Sequence, residues 1–133
     1  MNDLALKLNG FRPQVLSLLR IMAGLLFLAH GTAKLLGFPA TGMSPSITSI
    51  YGIAGVIELI TGVLLTLGLF TRPAAFLASG LGAAAYFIGH QTPEKFFPIQ
   101  NGGDAAVLYC FVFLYFVFAG PGPWSVDAAR GRE

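Results

Sequence analysis

Four apolar runs of about membrane-spanning length divide this chain, and no other feature limits its fold so severely. They occupy residues 13–38, 47–70, 73–91 and 104–120, with Pro, Gly and charged residues between them. Among its 133 residues, 55% are hydrophobic and only 11% charged, too few polar groups to clothe a globule, so a water-soluble enzyme is excluded. In lipid the backbone must satisfy its own hydrogen bonds, which leaves helices or a closed barrel. A barrel needs strict alternation of polar and apolar residues. These runs carry Gly and Ala at helical spacings instead, as at Gly24 and Gly31, Gly55 and Gly62, and Ala78 and Gly82. The expected fold is all-α: one integral membrane domain over residues 1–133, an antiparallel four-helix bundle running up-down-up-down. The fourth run is a few residues short, so either residues 101–103 contribute to it or the bilayer thins beside it.

Charge placement orients the bundle. With four spans, Lys7, Arg12, Arg72, Arg130 and Arg132 fall on one side and Lys95 alone on the other, which puts both termini in the cytoplasm and the loops at 39–46 and 92–103 outside. The opening run resembles a signal peptide up to Ala29-His30-Gly31, but its apolar pattern continues past that point and a cleaved product would keep only three spans. The net charge of +2 is scattered, which excludes nucleic acid as a partner. The lone Cys110 allows neither an internal disulfide nor a Cys-x-x-Cys site, and as a small apolar filler it needs no chemistry.

Ionisable groups inside the spans carry whatever chemistry the chain has, since each costs at least roughly 2.5–3.5 kcal/mol to insert. On a helical wheel, Arg20, Gly24, Phe27, Gly31 and Lys34 share a face of the first helix, with His30 at its edge; Glu58 lies between Gly55 and Gly62 on the second. These faces are expected to pack together. At 1.5 Å per residue, Glu58 sits roughly 16 Å and His30 roughly 12 Å below the outer surface, whereas Arg20 must climb about 8 Å to meet Glu58. His30 is therefore the preferred partner of Glu58, ahead of Arg20. Lys34 and His90 fall near the outer surface, where a snorkelling or interfacial role suffices, and Asp104 suits the first turn of the fourth helix. A structural ion pair or a satisfied hydrogen bond is the bland alternative at each position. A haem or metal is not expected, because His30 lies about 10 Å deeper than His90 by the same rise. The aromatic run from Tyr109 to Phe118, with Trp124 beyond it, reads as lipid contact and interface belt ahead of a quinone slot.

Several of these segments, in order and spacing, resemble one known family. Arg20-Ile21-Met22-Ala23-Gly24 and His30-Gly31-Thr32-Ala33-Lys34-Leu35 look like the first helix of DoxX-type membrane proteins. Glu58, Gly68-Leu69-Phe70-Thr71-Arg72-Pro73, Asn101-Gly102-Gly103-Asp104 and Gly120-Pro121-Gly122-Pro123-Trp124-Ser125-Val126-Asp127 continue the match, from about Arg12 to Asp127. Asp104 departs from it, standing where many relatives carry Glu, and keeps the charge. The resemblance implies a four-helix protein of the bacterial inner membrane, in a family named for subunits of a thiosulfate:quinone oxidoreductase. It carries over Arg20, His30, Lys34, Glu58, Asn101 and Asp104 as the polar core, without a catalytic assignment.

Three functions compete. The favoured one is an accessory or quinone-interacting subunit of a membrane redox or oxidative-stress system. Its candidate binding residues are Arg20, His30, Lys34, Glu58, Tyr86, His90, Asn101 and Asp104, and His30, Glu58 and Tyr86 supply donors and protons near the midplane. No intrinsic cofactor is expected and a quinone is the candidate ligand, so electrons must come from an oxidoreductase partner. The second is a small-solute or proton transporter along the Arg20, Glu58, His30 and Lys34 face, which needs a homo-oligomer because four short helices enclose little volume. The third is a scaffold or assembly factor whose charges only specify packing.

Overall fold

Each apolar run winds into a helix whose ends lie where Gly, Pro or a capping side chain stops it. The computed structural model describes residues 2–133. In chain order the helices are α1 (Asp3–Gly10), α2 (Arg12–Leu36), α3 (Ile50–Leu67), α4 (Thr71–Gly89), α5 (Pro98–Asn101), α6 (Asp104–Ala119) and α7 (Val126–Ala129), with no strand among the described residues. Asn2 caps α1 through a bond from the Ala5 amide, and Ser49 caps α3 through one from Gly52. α2 and α3 end at Gly37 and Gly68, both left-handed, where a β-carbon would be strained. The all-helical expectation holds. Of the expected spans, α2 and α3 are long and apolar enough to cross a membrane, while α4, at 19 residues, is long enough but less apolar and α6, at 16 residues, is apolar but shorter.

Small residues set the packing. A β-carbon on Gly31 would lie 2.6 Å from the Leu59 backbone nitrogen, and one on Gly62 2.6 Å from the Leu28 Cα, so α2 and α3 touch backbone to backbone in antiparallel register. Gly82 does the same for α4 against Cys110 of α6, where Ser79 Oγ also donates to the Cys110 carbonyl. Between the two pairs, Phe27 meets Tyr109 and Phe113 edge-on at 5.1 and 4.9 Å, over a core of Leu65, Ala74, Ala75, Ala78 and Phe116. The outward faces are apolar as well: Phe76, Phe87, Phe111 and Phe118 are 64–76% exposed, a distribution suited to lipid and not to water.

At the end carrying both termini, residues 120–127 strap the helices together. The fully buried Arg20 guanidinium donates from Nε to Leu65 O at 2.9 Å, from Nη2 to Trp124 O at 2.5 Å, and from Nη1 to Pro121 O. Ser17 Oγ accepts from the Trp124 amide. Asp127 then caps α4 from a distance, accepting from the Phe70 amide at 3.0 Å and the Thr71 amide at 2.9 Å. Burial alone pushes that carboxyl up, but the bonds from Thr71 and Phe70 and the charge of Arg130 outweigh it and hold the group below its ordinary value.

Candidate functional site

In an α-helix every Cα–Cβ bond tilts toward the helix N-terminus. Because α2 and α3 run antiparallel, a side chain on α2 leans toward the terminal end and one on α3 leans toward the opposite end, where the 37–49 and 90–103 loops lie. Lys34, near the end of α2, leans inward past Gly55; Glu58, a turn further along α3, leans outward to meet it. Lys34 Nζ donates to Glu58 Oε1 at 2.5 Å, the one salt bridge among the described residues, with the side chains 17% and 7% exposed. Glu58 therefore faces the preceding long helix as expected, but its partner is Lys34, not His30 or Arg20. Arg20, lower on α2, leans toward the terminal end and so away from Glu58 into the strap, and a lysine assigned to the surface turns into the interior.

The pair forms part of the wall of a cleft of about 220 Å³ reached by all four long helices. Phe27, His30 and Lys34 line it from α2, Ala54 and Glu58 from α3, Leu81 and Ala85 from α4, and Ala106 and Tyr109 from α6, with His90 beside them. His30 Nδ1 lies 2.8 Å from the Leu26 carbonyl and His90 Nδ1 3.2 Å from the Asn101 carbonyl. A carbonyl only accepts, so in each ring Nδ1 carries the proton and Nε2 is left as the acceptor. Lys34 has two further N–H bonds. Neither these, nor Glu58 Oε2, nor either Nε2, nor the Tyr109 hydroxyl has a hydrogen-bond partner among the described residues. The cleft thus holds donors and acceptors of both kinds with capacity unspent.

Other candidates serve the loop. Asn101 Nδ2 donates to the Tyr86 hydroxyl and to the Lys95 carbonyl, both at 3.1 Å, while Tyr86 donates to Phe96 O at 2.9 Å and Asn101 Oδ1 accepts from Gly103. These bonds knot 95–103 onto α4. Asp104 is exposed in the first turn of α6, and its carboxylate makes no hydrogen bond or ion pair among the described residues. Tyr109, assigned to the lipid-facing run, turns inward: its ring meets His30 edge-on at 5.7 Å and stacks on Phe113. It shares a helical face with the buried Ala106, three residues before it, and the buried Phe113, four after it.

Outward-turned apolar side chains, two helices of spanning length and a charge pair between them fit the class of helical integral membrane proteins. The particular family follows from comparison: the DoxX family model matches residues 15–91, more than half the chain, and the chain belongs to that family. An uncharacterized protein of Haemophilus influenzae is 47% identical, over 90% of this chain and 93% of its own. The inner membrane protein YphA of Escherichia coli is 33% identical over 87% of this chain and 90% of its own, and an uncharacterized membrane protein of Mycobacterium tuberculosis is 28% identical over 95% and 87%. No solved structure matches the chain significantly.

Proposed function

We propose that this protein is a membrane subunit whose cleft receives the head group of a quinone-type ligand for an oxidoreductase partner. In this reading α2, α3, α4 and α6 all cross the bacterial inner membrane as an antiparallel four-helix bundle. Both termini are cytoplasmic and the cleft opens toward the outer face. The basic residues near the termini support that orientation, and the name of the Escherichia coli relative supports that membrane.

The observation that carries the reading is the unspent hydrogen-bonding capacity around Lys34 and Glu58. A purely structural pair needs no neighbouring imidazoles with open Nε2 atoms and no empty volume beside it. A quinone head supplies two carbonyl oxygens that take up two protons with two electrons. Lys34 holds one carbonyl oxygen by hydrogen bond, and the open His30 Nε2, in the same cleft as Glu58, takes a proton from water and passes it to that oxygen, while the second carbonyl oxygen takes its proton from water directly. Electrons come from the partner protein, because the chain's own side chains include no redox pair.

The test is titration calorimetry of a tailless quinone analogue against the protein in lipid nanodiscs. Wild type is expected to bind, with Glu58→Gln and His30→Ala each weakening binding about tenfold while the helical circular dichroism signal stays unchanged. Equal affinity in all three proteins would refute the site.

A further inference from the structure

Beside the cleft, between α3 and α4, lies a largely apolar hollow of about 560 Å³. The two spaces share His30, Lys34, Ala54, Leu81, Ala85 and His90 in their walls, so the hollow adjoins the cleft on the side of Lys34. Beyond the shared residues, Ile50, Ile53 and Ile57 of α3 face Ala84 and Ile88 of α4. Room exists there because Ala54, Ala84, Ala85 and Gly89 put no bulk between the helices. The volume falls within the roughly 300–1,000 Å³ of ordinary small-molecule sites. Its walls also face outward: Ile53 is 52% and Ile88 61% exposed, which opens the hollow on the flank of the helices.

We propose that this hollow is the seat and lateral entry path of a hydrocarbon tail, so that the ligand is a bilayer-soluble amphiphile with one long tail. The proposal rests on the reading of the cleft given above. Lipid tails are as apolar as leucine, so the hollow does not draw a tail in by hydrophobicity. It acts by shape. A tail lying between α3 and α4 leaves its head beside Lys34 and Glu58, and no polar loop has to part for it to enter. The fit is also directional: beyond the residues shared with the cleft the walls are apolar apart from Tyr51, so a ligand with a single charged or strongly polar end is matched best.

The experiment uses the full chain in nanodiscs and two probes that share one head group, the tailless quinone analogue and its decyl derivative, compared at equal concentration in the membrane. Ala84→Trp and Ile53→Trp fill the hollow from opposite walls at positions that do not line the cleft. Each is expected to weaken the decyl compound about tenfold and to leave the tailless compound within about twofold. Equal loss for both compounds, or for neither, overturns the tail path while leaving the cleft reading intact. If wild type binds neither compound, the cleft reading itself fails. A change in cross-linked oligomer, or loss of a co-purifying phospholipid, with decyl binding untouched would assign the hollow to a second copy or to bulk lipid and overturn the proposal.

Discussion

Arg20 and Lys34 both carry a positive charge on α2 into the packed interior, yet their surroundings differ in kind. All three guanidinium nitrogens of Arg20 are engaged by backbone carbonyls, and its side chain is sealed from solvent. Lys34 gives one N–H bond to one carboxylate oxygen and keeps the rest beside an open cleft. A saturated cation has nothing left to offer a ligand, so burial of charge by itself does not distinguish structure from function. Unspent bonding capacity next to empty volume does.

The largest effect that would break this contrast lies at Arg20. Replacing it with Leu leaves three carbonyls without their donor and is expected to cost about 4 kcal/mol, read as a large fall in the thermal midpoint in detergent. Ligand affinity per folded molecule should stay near wild type. A stable Arg20→Leu protein that had lost binding would reverse the roles of the two cations.

A smaller effect sharpens the other side. Lys34→Met and Glu58→Leu each strand one buried charge and should destabilise by about 3 kcal/mol, whereas the double variant should recover most of that loss because an apolar pair replaces the ion pair at little net cost. Binding should remain lost in all three. Recovery of binding in the double variant would show that the pair only sets packing.

The smallest effect belongs to the strap. Asp127→Asn weakens the cap on α4 and should cost about 1 kcal/mol near neutral pH. Because the folded carboxyl titrates below its unfolded value of about 3.9, its contribution is complete above that pH and disappears as the pH falls through the lower folded value. The gap between wild type and variant in a midpoint-versus-pH series should therefore close in acid. A gap that widened below pH ~4 would mean Asp127 does not act as a charged cap.

Much of the helical layout was legible because apolar length, Pro and Gly act locally: the observed ends of α2, α3, α4 and α6 lie within three residues of the apolar runs. The facing of Gly24 and Gly31 toward the Glu58 side of α3 was legible for the same reason, since helical period alone fixes a face. The partner of Glu58 was not. Heights along the axis compare Cα positions, and the tilt of each Cβ toward its own N-terminus swings Lys34 down, Glu58 up and Arg20 away. Asp127 as a cap for α4 was beyond reach too, because a contact with residues 70 and 71 across such a span of sequence leaves no local pattern. Tyr109 was hidden by composition: in a run of Phe and Tyr with apolar residues on every face, one inward ring has no contrast against its neighbours.

The strap also imposes an order in time. As the chain is made, α2 and α3 can reach their glycine-to-backbone fit as soon as α3 is finished. Arg20 must wait for carbonyls made 101 and 104 positions later, and the first amides of α4 wait for Asp127. Until then two of the Arg20 guanidinium nitrogens and an open helix end stand uncovered at the same end of the molecule. Residues 120–127 therefore act as a checkpoint: only a chain translated past them can hide both, and a product cut short of them displays an uncovered charge within its helices to whatever surveys the membrane.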